Sequence, residues 1–205
     1  MSRNRRWLLG IALMISALVV SCGRPANADE TTIAPSGRAV SLVALDNAAA
    51  VAGWTTVNDP VMGGKSTSRV AFGGGGLEFS GTVSLENNGG FASARGPQDP
   101  GIGQKAAGAT ALNVRAIGDG KTYVLELGVA GHPWSYIQRF RTDAGIAGDY
   151  ALPVEGFEPV GMRLDPEPNA PRLLDPSTID EVAVYILDKQ QGPLTITITG
   201  IDATS

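Results

Sequence analysis

The sequence is poor in the side chains that most often build catalytic and metal sites, because its 205 residues include one cysteine and one histidine. A single cysteine cannot form an intramolecular disulfide, so the hydrophobic core has to stabilise the fold. The histidine, His132, has no second histidine with which to hold zinc, and we expect neither a metal nor another cofactor. A Ser-His-Asp triad would also need His132, but no Gly-x-Ser-x-Gly sequence presents a serine nucleophile.

An apolar period of helical length is missing after residue 55, whereas glycine and proline are abundant, with 27 and 13 residues. Short runs instead alternate apolar and polar residues, which is the pattern of half-buried strands. The clearest runs cover residues 70–72, 77–85, 112–116, 123–129, 182–186 and 194–198. Glycine-rich turns separate them, and Gly118-Asp119-Gly120 predicts a tight hairpin. Together these features predict an all-β fold, two antiparallel sheets packed as a jelly-roll sandwich.

Three regions lack a clear strand pattern. Residues 42–54 are compatible with a first strand followed by either a loop or a short helix, with Trp54 packed on the core. Residues 96–108, rich in glycine and proline, predict a loop. Residues 156–177 contain five prolines and predict a long surface loop with room for one short strand.

The first 21 residues have the pattern of a lipoprotein signal peptide. Three arginines precede an apolar run of 14 residues, 7–20, which suits a signal sequence and is short for a membrane span. The run ends in Val19-Val20-Ser21-Cys22, which resembles a bacterial lipobox, so we predict that Cys22 carries the lipid. The alternative is an ordinary secretory signal that is cut near Ala26-Asn27-Ala28.

The predicted lipid places the protein on the cell membrane, facing outside the cytoplasm. Residues 22–40 would form the lipidated N-terminus and a flexible tether, because they are small, polar and proline-bearing. Residues 41–205 would form one domain. After cleavage, 13 basic residues face 20 acidic ones, a net charge of −7. An acidic domain of this kind argues against a nucleic-acid partner.

The stretch from Trp54 to Arg95 contains the densest group of motifs. It reads WTTVNDPVMGGKSTSRVAFGGGGLEFSGTVSLENNGGFASAR. Its order and spacing resemble the signature of the complex I intermediate-associated protein 30 family. The matching segments are residues 54, 58–66, 79–81, 88–93 and 95, followed by 118–123, 152–153, 157 and 192–201, so the resemblance covers nearly all of the chain after residue 40.

This resemblance implies a jelly-roll, galactose-binding-like domain that does not catalyse a reaction. The role for which the family is best known is assistance in assembling respiratory complex I. That assembly takes place on the matrix or cytoplasmic side of the membrane, whereas the predicted lipoprotein faces the other way. The resemblance therefore carries over the fold and the non-catalytic character more directly than the partner.

One group of residues in the signature forms either a structural clasp or a binding loop. Asp59 lies between Asn58 and Pro60, ahead of a glycine pair, where its carboxylate can cap backbone N–H groups. Arg95 shares a strand face with Phe91 and could pair with Asp59. The candidate residues of this group are Asn58, Asp59, Met62, Gly63, Gly64 and Arg95, with Met62 plugging the core.

Two aromatic residues form a second candidate site. Trp134 and Tyr136 are close together near a strand start, and carbohydrate-binding jelly rolls use such side chains as platforms for sugar rings. The alternative is that Tyr136 belongs to the core and Trp134 covers an edge of the sandwich.

Three functions remain after these exclusions. The first is a non-catalytic domain for protein interaction or assembly, as the family resemblance implies. The second is a carbohydrate-binding module at the cell envelope. The third, an envelope hydrolase, would need two facing carboxylates, and the sequence singles out no such pair, so we expect that the protein is not an enzyme.

Replacing Cys22 tests the lipoprotein interpretation. We expect Cys22→Ala to move the protein from the membrane fraction to the soluble fraction, because the thiol that accepts the lipid is lost. Cell fractionation and mass spectrometry of the mature N-terminus measure this outcome. Unchanged membrane retention, together with no lipid mass on the wild-type N-terminus, would contradict the interpretation.

Overall fold

The computed structural model describes residues 38–59 and 63–205. The predicted signal peptide 1–21, the lipidation site Cys22, most of the tether 22–40 and the candidate residue Met62 lie outside the described residues. In the part that is described, no helix combines the length and apolar character that a membrane span requires.

The described part of the chain is built from strands, as predicted, with two short helices. The strands are β1 Val40–Ala44, β2 Thr55–Asn58, β3 Thr67–Gly73, β4 Gly76–Val83, β5 Ala92–Arg95, β6 Ala111–Ile117, β7 Thr122–Val129, β8 Ser135–Arg141, β9 Ala147–Pro153, β10 Glu158–Val160, β11 Ile179–Ile186 and β12 Gly192–Thr204. The helices are α1 Ala48–Val51 and α2 Gly101–Ala106.

The strands form two antiparallel six-stranded sheets. In sheet A the order is β3-β4-β12-β6-β9, and β1 pairs with the C-terminal part of β12 beyond β4. In sheet B the order is β10-β8-β7-β11-β5-β2. Strands that are far apart in sequence are therefore neighbours in both sheets. This is the predicted all-β jelly-roll sandwich, and the prediction of fold class is confirmed.

The core lies between the sheets and consists of the inward-facing residues of the alternating runs. Sheet A contributes Leu77, Phe79, Leu112, Val114, Ile196 and Ile198, and sheet B contributes Tyr123, Leu125, Leu127, Val182, Val184 and Ile186. Each such side chain stabilises the fold by about 1.5–3 kcal/mol relative to an exposed one. Trp54 joins the core and is 5% exposed. Phe72 does not join it: it is 42% exposed, because β3 is an edge strand that the core does not fully cover.

The predicted hairpin at Gly118-Asp119-Gly120 is wrong. The strands on either side of it, β6 and β7, belong to different sheets, so the turn carries the chain across the sandwich. Thr142 packs where a side chain at residue 118 would lie, and its Oγ1 accepts a hydrogen bond of 3.1 Å from the N–H of Gly120. The Asp119 carboxylate accepts from the N–H of Thr195 in β12 at 3.0 Å, which ties the crossing to sheet A.

The structure also shows which elements form in the three regions that lack a clear strand pattern. Residues 42–54 contain the end of β1 and then helix α1, in which the Asn47 side chain accepts a hydrogen bond from the N–H of Ala50. The loop prediction for 96–108 is wrong in part, because helix α2 lies within it and buries Ile102 and Ala106. Six residues are too few to produce a visible helical period. The loop at 156–177 holds one short strand, β10, which pairs with β8.

Candidate functional site

The carboxylate of Asp59 is the most heavily hydrogen-bonded side chain of the signature. Asp59 is 1% exposed and follows the end of β2. Its Oδ1 accepts from the N–H of Ser66 at 2.7 Å. Its Oδ2 accepts from Ser66 Oγ at 2.5 Å and from the N–H groups of Gly90 and Phe91 at 2.6 and 3.3 Å. One side chain therefore joins the end of β2 to the segments that lead into β3 and β5.

These hydrogen bonds keep Asp59 ionised. Burial is the largest single influence and raises the pKa of the Asp59 carboxyl, because it disfavours the charged form. The hydrogen bonds from Ser66, Gly90 and Phe91 together outweigh burial and hold the pKa below its ordinary value. Among the described residues, the charge of this buried carboxylate is thus satisfied by hydrogen-bond donors rather than by a cation.

The glycines of the signature make room for this carboxylate. A Cβ atom at Gly64 would overlap the Asp59 carboxylate, and one at Gly89 would lie 2.6 Å from its Oδ2. Gly63 has a φ of 90°, in the left-handed region that favours glycine. Asn58 is also engaged, since its side-chain amide lies 2.6 Å from Ser68 Oγ in β3. Turn geometry thus accounts for Asp59, Gly63 and Gly64, whereas Asn58 is a strand residue whose side chain links β2 to β3.

Arg95 does not belong to this arrangement, and the predicted pairing with Asp59 is wrong. In the sheet register Arg95 lies opposite Thr55, four residues before Asp59 in the chain. Its guanidinium donates instead to the hydroxyl of Tyr185 and, at 3.5 Å, to Ser93 Oγ. The guanidinium carbon also lies 5.3 Å from the centre of the Tyr185 ring, within the range of a cation–π contact.

Arg95 lines a groove on the outer face of sheet B, which we call the sheet B groove. It has a volume of about 200 Å³, and its lining includes Arg95, Glu126, His132, Trp134, Glu181 and Tyr185. These residues come from β5, β7, β11 and the turn before β8. The outward phase of neighbouring strands brings them together: Glu126 and Arg95 both lie opposite Ala183 of β11, on either side of it.

The floor of the groove is a connected polar network. Ser135 Oγ donates to Glu126 Oε1 at 2.7 Å, and Tyr185 lies between Glu126 and Arg95. Burial raises the pKa of the Tyr185 hydroxyl, and the nearby Glu126 raises it further despite the opposing effect of Arg95. Tyr185 therefore stays protonated and can donate to Glu126 while it accepts from Arg95.

Glu181 is a carboxyl group of the groove with a raised pKa. Burial raises the pKa of its carboxyl, and the neighbouring carboxylates of Glu126 and Asp180 raise it further, which outweighs the lowering by Arg95. Nothing in the sequence marked Glu181 or Tyr185, because each is an ordinary strand residue until the sheet register places it beside Arg95. Glu126 was recognisable only as a residue on the polar phase of its strand.

The two residues of the predicted glycan platform are separated by the sheet. Tyr136 is 2% exposed and belongs to the core, and its hydroxyl donates to the carbonyl of Pro171 at 2.7 Å. Its assignment as a platform is therefore wrong. Trp134 is half-buried, packs against the core, and stacks on His132 with ring centres 4.2 Å apart and an interplanar angle of 24°. Trp134 still lines the sheet B groove, but with the exposed His132 covering part of its surface.

A second groove lies on the same outer face of sheet B. Its volume is about 530 Å³, and Ile137, Arg139, Glu158, Leu164 and Arg172 contribute to its lining. The loop 161–166 divides it from the sheet B groove: Leu164 lines the second groove, and Met162, 90% exposed, lines the first. Within residues 38–59 and 63–205, no group of three His, Cys, Asp or Glu side chains could hold a metal ion.

The fold and the grooves define the chain as a jelly-roll domain with an open, polar sheet face. The sequence model of the complex I intermediate-associated protein 30 (CIA30) family matches residues 43–198. The chain belongs to this family, and the resemblance noted from its motifs is confirmed. A search of curated protein sequences finds no match.

Solved structures with the same fold include carbohydrate-binding modules. The family 11 module of the cellulosomal cellulase Lic26A-Cel5E of Clostridium thermocellum is 13% identical, with a TM-score of 0.57 over 83% of this chain and 96% of that one. The Clostridium thermocellum family 11 module in complex with a β-1,3-1,4-mixed-linked tetrasaccharide is 13% identical, with a TM-score of 0.51 over 75% of this chain and 89% of that one. An agarase, AgWH50C, is 13% identical, with a TM-score of 0.50 over 82% of this chain and 25% of that one. At this identity the likeness shows the fold alone.

Replacing Asp59 tests its structural role. We expect Asp59→Asn to lower the free energy of unfolding by about 1–3 kcal/mol, because an amide nitrogen cannot accept the hydrogen bonds that the carboxylate accepts. Denaturant unfolding measures the change. The control is Asp143→Asn, which alters an exposed aspartate in a loop. Unchanged stability of the Asp59 variant, with loss of partner binding, would mean that this loop is a binding site instead.

The lowered pKa of Asp59 predicts an acid-sensitive stability. The pKa of an aspartate in the unfolded state is about 3.9. Because the pKa of Asp59 is lower in the folded state, its carboxylate stabilises the protein at pH values above this unfolded-state pKa. The contribution is lost as the pH falls through the folded-state pKa. Thermal unfolding of the wild type between pH 7 and pH 2 should therefore show a loss of stability below about pH 4 that is smaller in Asp59→Asn. Parallel pH profiles for the two proteins would contradict the lowered pKa.

Proposed function

We propose that the protein is a non-catalytic binding domain that takes part in protein assembly and is tethered by a lipid on Cys22 to the outer side of the cell membrane. Membership of the CIA30 family is the observation that carries this proposal. The sheet B groove and the loop that borders it are the proposed contact surface. The partner would be a protein of the cell envelope, because the proposed anchor holds the domain outside the cytoplasm.

The arrangement of charged groups in the groove supports binding rather than turnover. Glu126 accepts from Ser135, and Arg95 donates to Tyr185, so these two charged groups of the groove are held in place. A general acid or base would have to gain and lose protons freely near its working pH. A rigid floor of this kind is suited to presenting a fixed pattern of donors and acceptors to a partner.

Met162 provides a test of the contact surface, because it is 90% exposed at the rim of the groove. Full-length protein would be cross-linked in membranes, captured in detergent, and its partners identified by mass spectrometry. We expect Met162→Glu to reduce the amount of captured partner about tenfold or more, since a charge at the rim would be buried in the contact without a counter-ion. Leu173→Glu changes another exposed apolar residue, 66% exposed, and serves as the matched control.

Two outcomes would contradict the proposal in different ways. If both variants retain the same partners as the wild type, the sheet B groove is not the contact surface. If the protein hydrolyses a glycosidic, ester or peptide substrate, and one Asp or Glu substitution abolishes turnover, it is an enzyme rather than a binding domain.

Carbohydrate binding at the envelope is the second candidate, and the make-up of the groove favours it. Arg95 supplies donors and Glu181 supplies acceptors on the same sheet face, with the aromatic pair His132 and Trp134 at the rim. Sugars are recognised by such combinations of hydrogen-bonding and aromatic groups. A family 11 module with the same fold was solved with a bound tetrasaccharide, which supports the candidate at the level of fold.

A glycan array separates the two candidates. If the domain recognises sugars, the full-length protein should bind one class of glycan without turnover, and Trp134→Ala should weaken that binding because the rim loses its aromatic surface. Isothermal titration with the glycan identified on the array measures the loss. Absence of binding to all glycans would remove this candidate and leave protein interaction, for which Trp134→Ala should have little effect.

A further inference from the structure

We infer that the sheet B groove is a subsite for an uncharged sugar unit, and that its carboxylates select against anionic sugars. This inference rests on the carbohydrate-binding candidate and specifies the chemistry of its ligand. It depends on three features: Arg95 as a fixed hydrogen-bond donor, Glu181 beside it as a free acceptor, and the opposite charges of these two side chains.

Arg95 is the fixed donor. It is half-buried, and its guanidinium is held by hydrogen bonds to the Tyr185 hydroxyl and to Ser93 Oγ and by its position over the Tyr185 ring. A guanidinium has five N–H donors, so donors remain for a ligand after these two bonds. Because the side chain is already positioned, little conformational entropy is lost when a ligand binds.

Glu181 is the free acceptor. It lies on β11, two residues from Ala183, which is the residue opposite Arg95 in the register. Burial and neighbouring charges act on its carboxyl, and within residues 38–59 and 63–205 no side chain or backbone group donates a hydrogen bond to it. Its strand partner Gly128 leaves space for it: a Cβ atom at residue 128 would lie 2.9 Å from the Cβ of Glu181. The carboxylate oxygens are therefore available in the groove.

The opposite charges of Arg95 and Glu181 suit a hydroxyl group, which can pair with both, better than an ion. A cation attracted to Glu181 is repelled by Arg95, and an anion attracted to Arg95 is repelled by Glu181, in a partly buried site where charges interact more strongly than in water. A hydroxyl group avoids both penalties, because it donates one hydrogen bond and accepts others. Two neighbouring hydroxyls of a sugar can donate to Glu181 and accept from Arg95 at the same time.

Anionic sugars should be excluded more strongly than cations. Three carboxylates, those of Glu126, Asp180 and Glu181, line the groove beside the single guanidinium of Arg95. The chain as a whole is also acidic, with 20 Asp and Glu residues against 16 Lys and Arg. A uronic acid or a sulfated sugar would thus meet repulsion from the groove and from the surrounding surface.

The test compares ligands that differ in charge. Full-length protein in detergent would be titrated with neutral oligosaccharides, with uronic-acid and sulfated oligosaccharides, and with an arginine-rich peptide. We expect binding of neutral oligosaccharides alone, with little dependence on salt because no net charge is neutralised. Glu181→Gln and Arg95→Met should each weaken that binding about tenfold or more. Glu155→Gln, an exposed carboxylate outside the groove, should leave it unchanged.

A gain of function makes the test independent of damage to the fold. Glu181→Lys should admit anionic oligosaccharides, because it reverses the charge that repels them, and thermal unfolding would verify that the variant is folded. Stronger binding of anionic than of neutral oligosaccharides by the wild type would overturn the inference while carbohydrate binding stands. Binding of the arginine-rich peptide in the groove would overturn it in favour of a basic protein partner. If no oligosaccharide binds, the carbohydrate-binding candidate and the inference fall together.

Discussion

The fold depends on one buried carboxylate that three separate segments of the chain share. Asp59 accepts hydrogen bonds from Ser66, Gly90 and Phe91, which lie near the starts of β3 and β5. Because β3 belongs to sheet A and β5 to sheet B, the carboxylate holds both sheets at the end of the sandwich where the chain crosses between them. Leaving such donors unsatisfied in the interior would cost about 1–3 kcal/mol each, so the glycines that pack around Asp59 are part of the same constraint.

In the proposed function, stability and recognition are assigned to different parts of the molecule. In the densest stretch of motifs, the residues around Asp59 form a clasp, and the Asp59 carboxylate is used internally. The groups that we propose contact a ligand, Arg95 and Glu181, lie on the outer face of sheet B. The rigid strands position these side chains, whereas the loop 161–166 with Met162 shapes the border of the groove. A scaffold of this kind permits the surface to change without disturbing the clasp.

Some predictions from the sequence were right because they rest on local physics. Alternation of apolar residues locates strands such as β4, β7 and β12, since one face of each must be buried. Turn chemistry locates the bends at residues 87–90 and 118–120. The same chemistry does not say whether the next strand pairs with the last one or crosses to the other sheet, and for this reason the hairpin at 118–120 was wrong. Phe72 is exposed and Tyr136 is buried, in line with the alternative interpretation of Tyr136 as a core residue, because exposure depends on the position of a strand within its sheet and on the face that a residue occupies.

The sequence by itself determined the all-β class, the approximate strand positions and the family, because each is written in local patterns of residues and their spacing. Tertiary structure alone decided which strands are neighbours, and with that the composition of the sheet B groove. Arg95, Glu126 and Glu181 lie on three strands whose sequence separation is up to 86 residues, the distance from Arg95 to Glu181, and no local pattern relates them. The register of β5, β7 and β11 places them on one face, since hydrogen bonding between strands, rather than order along the chain, decides which side chains meet.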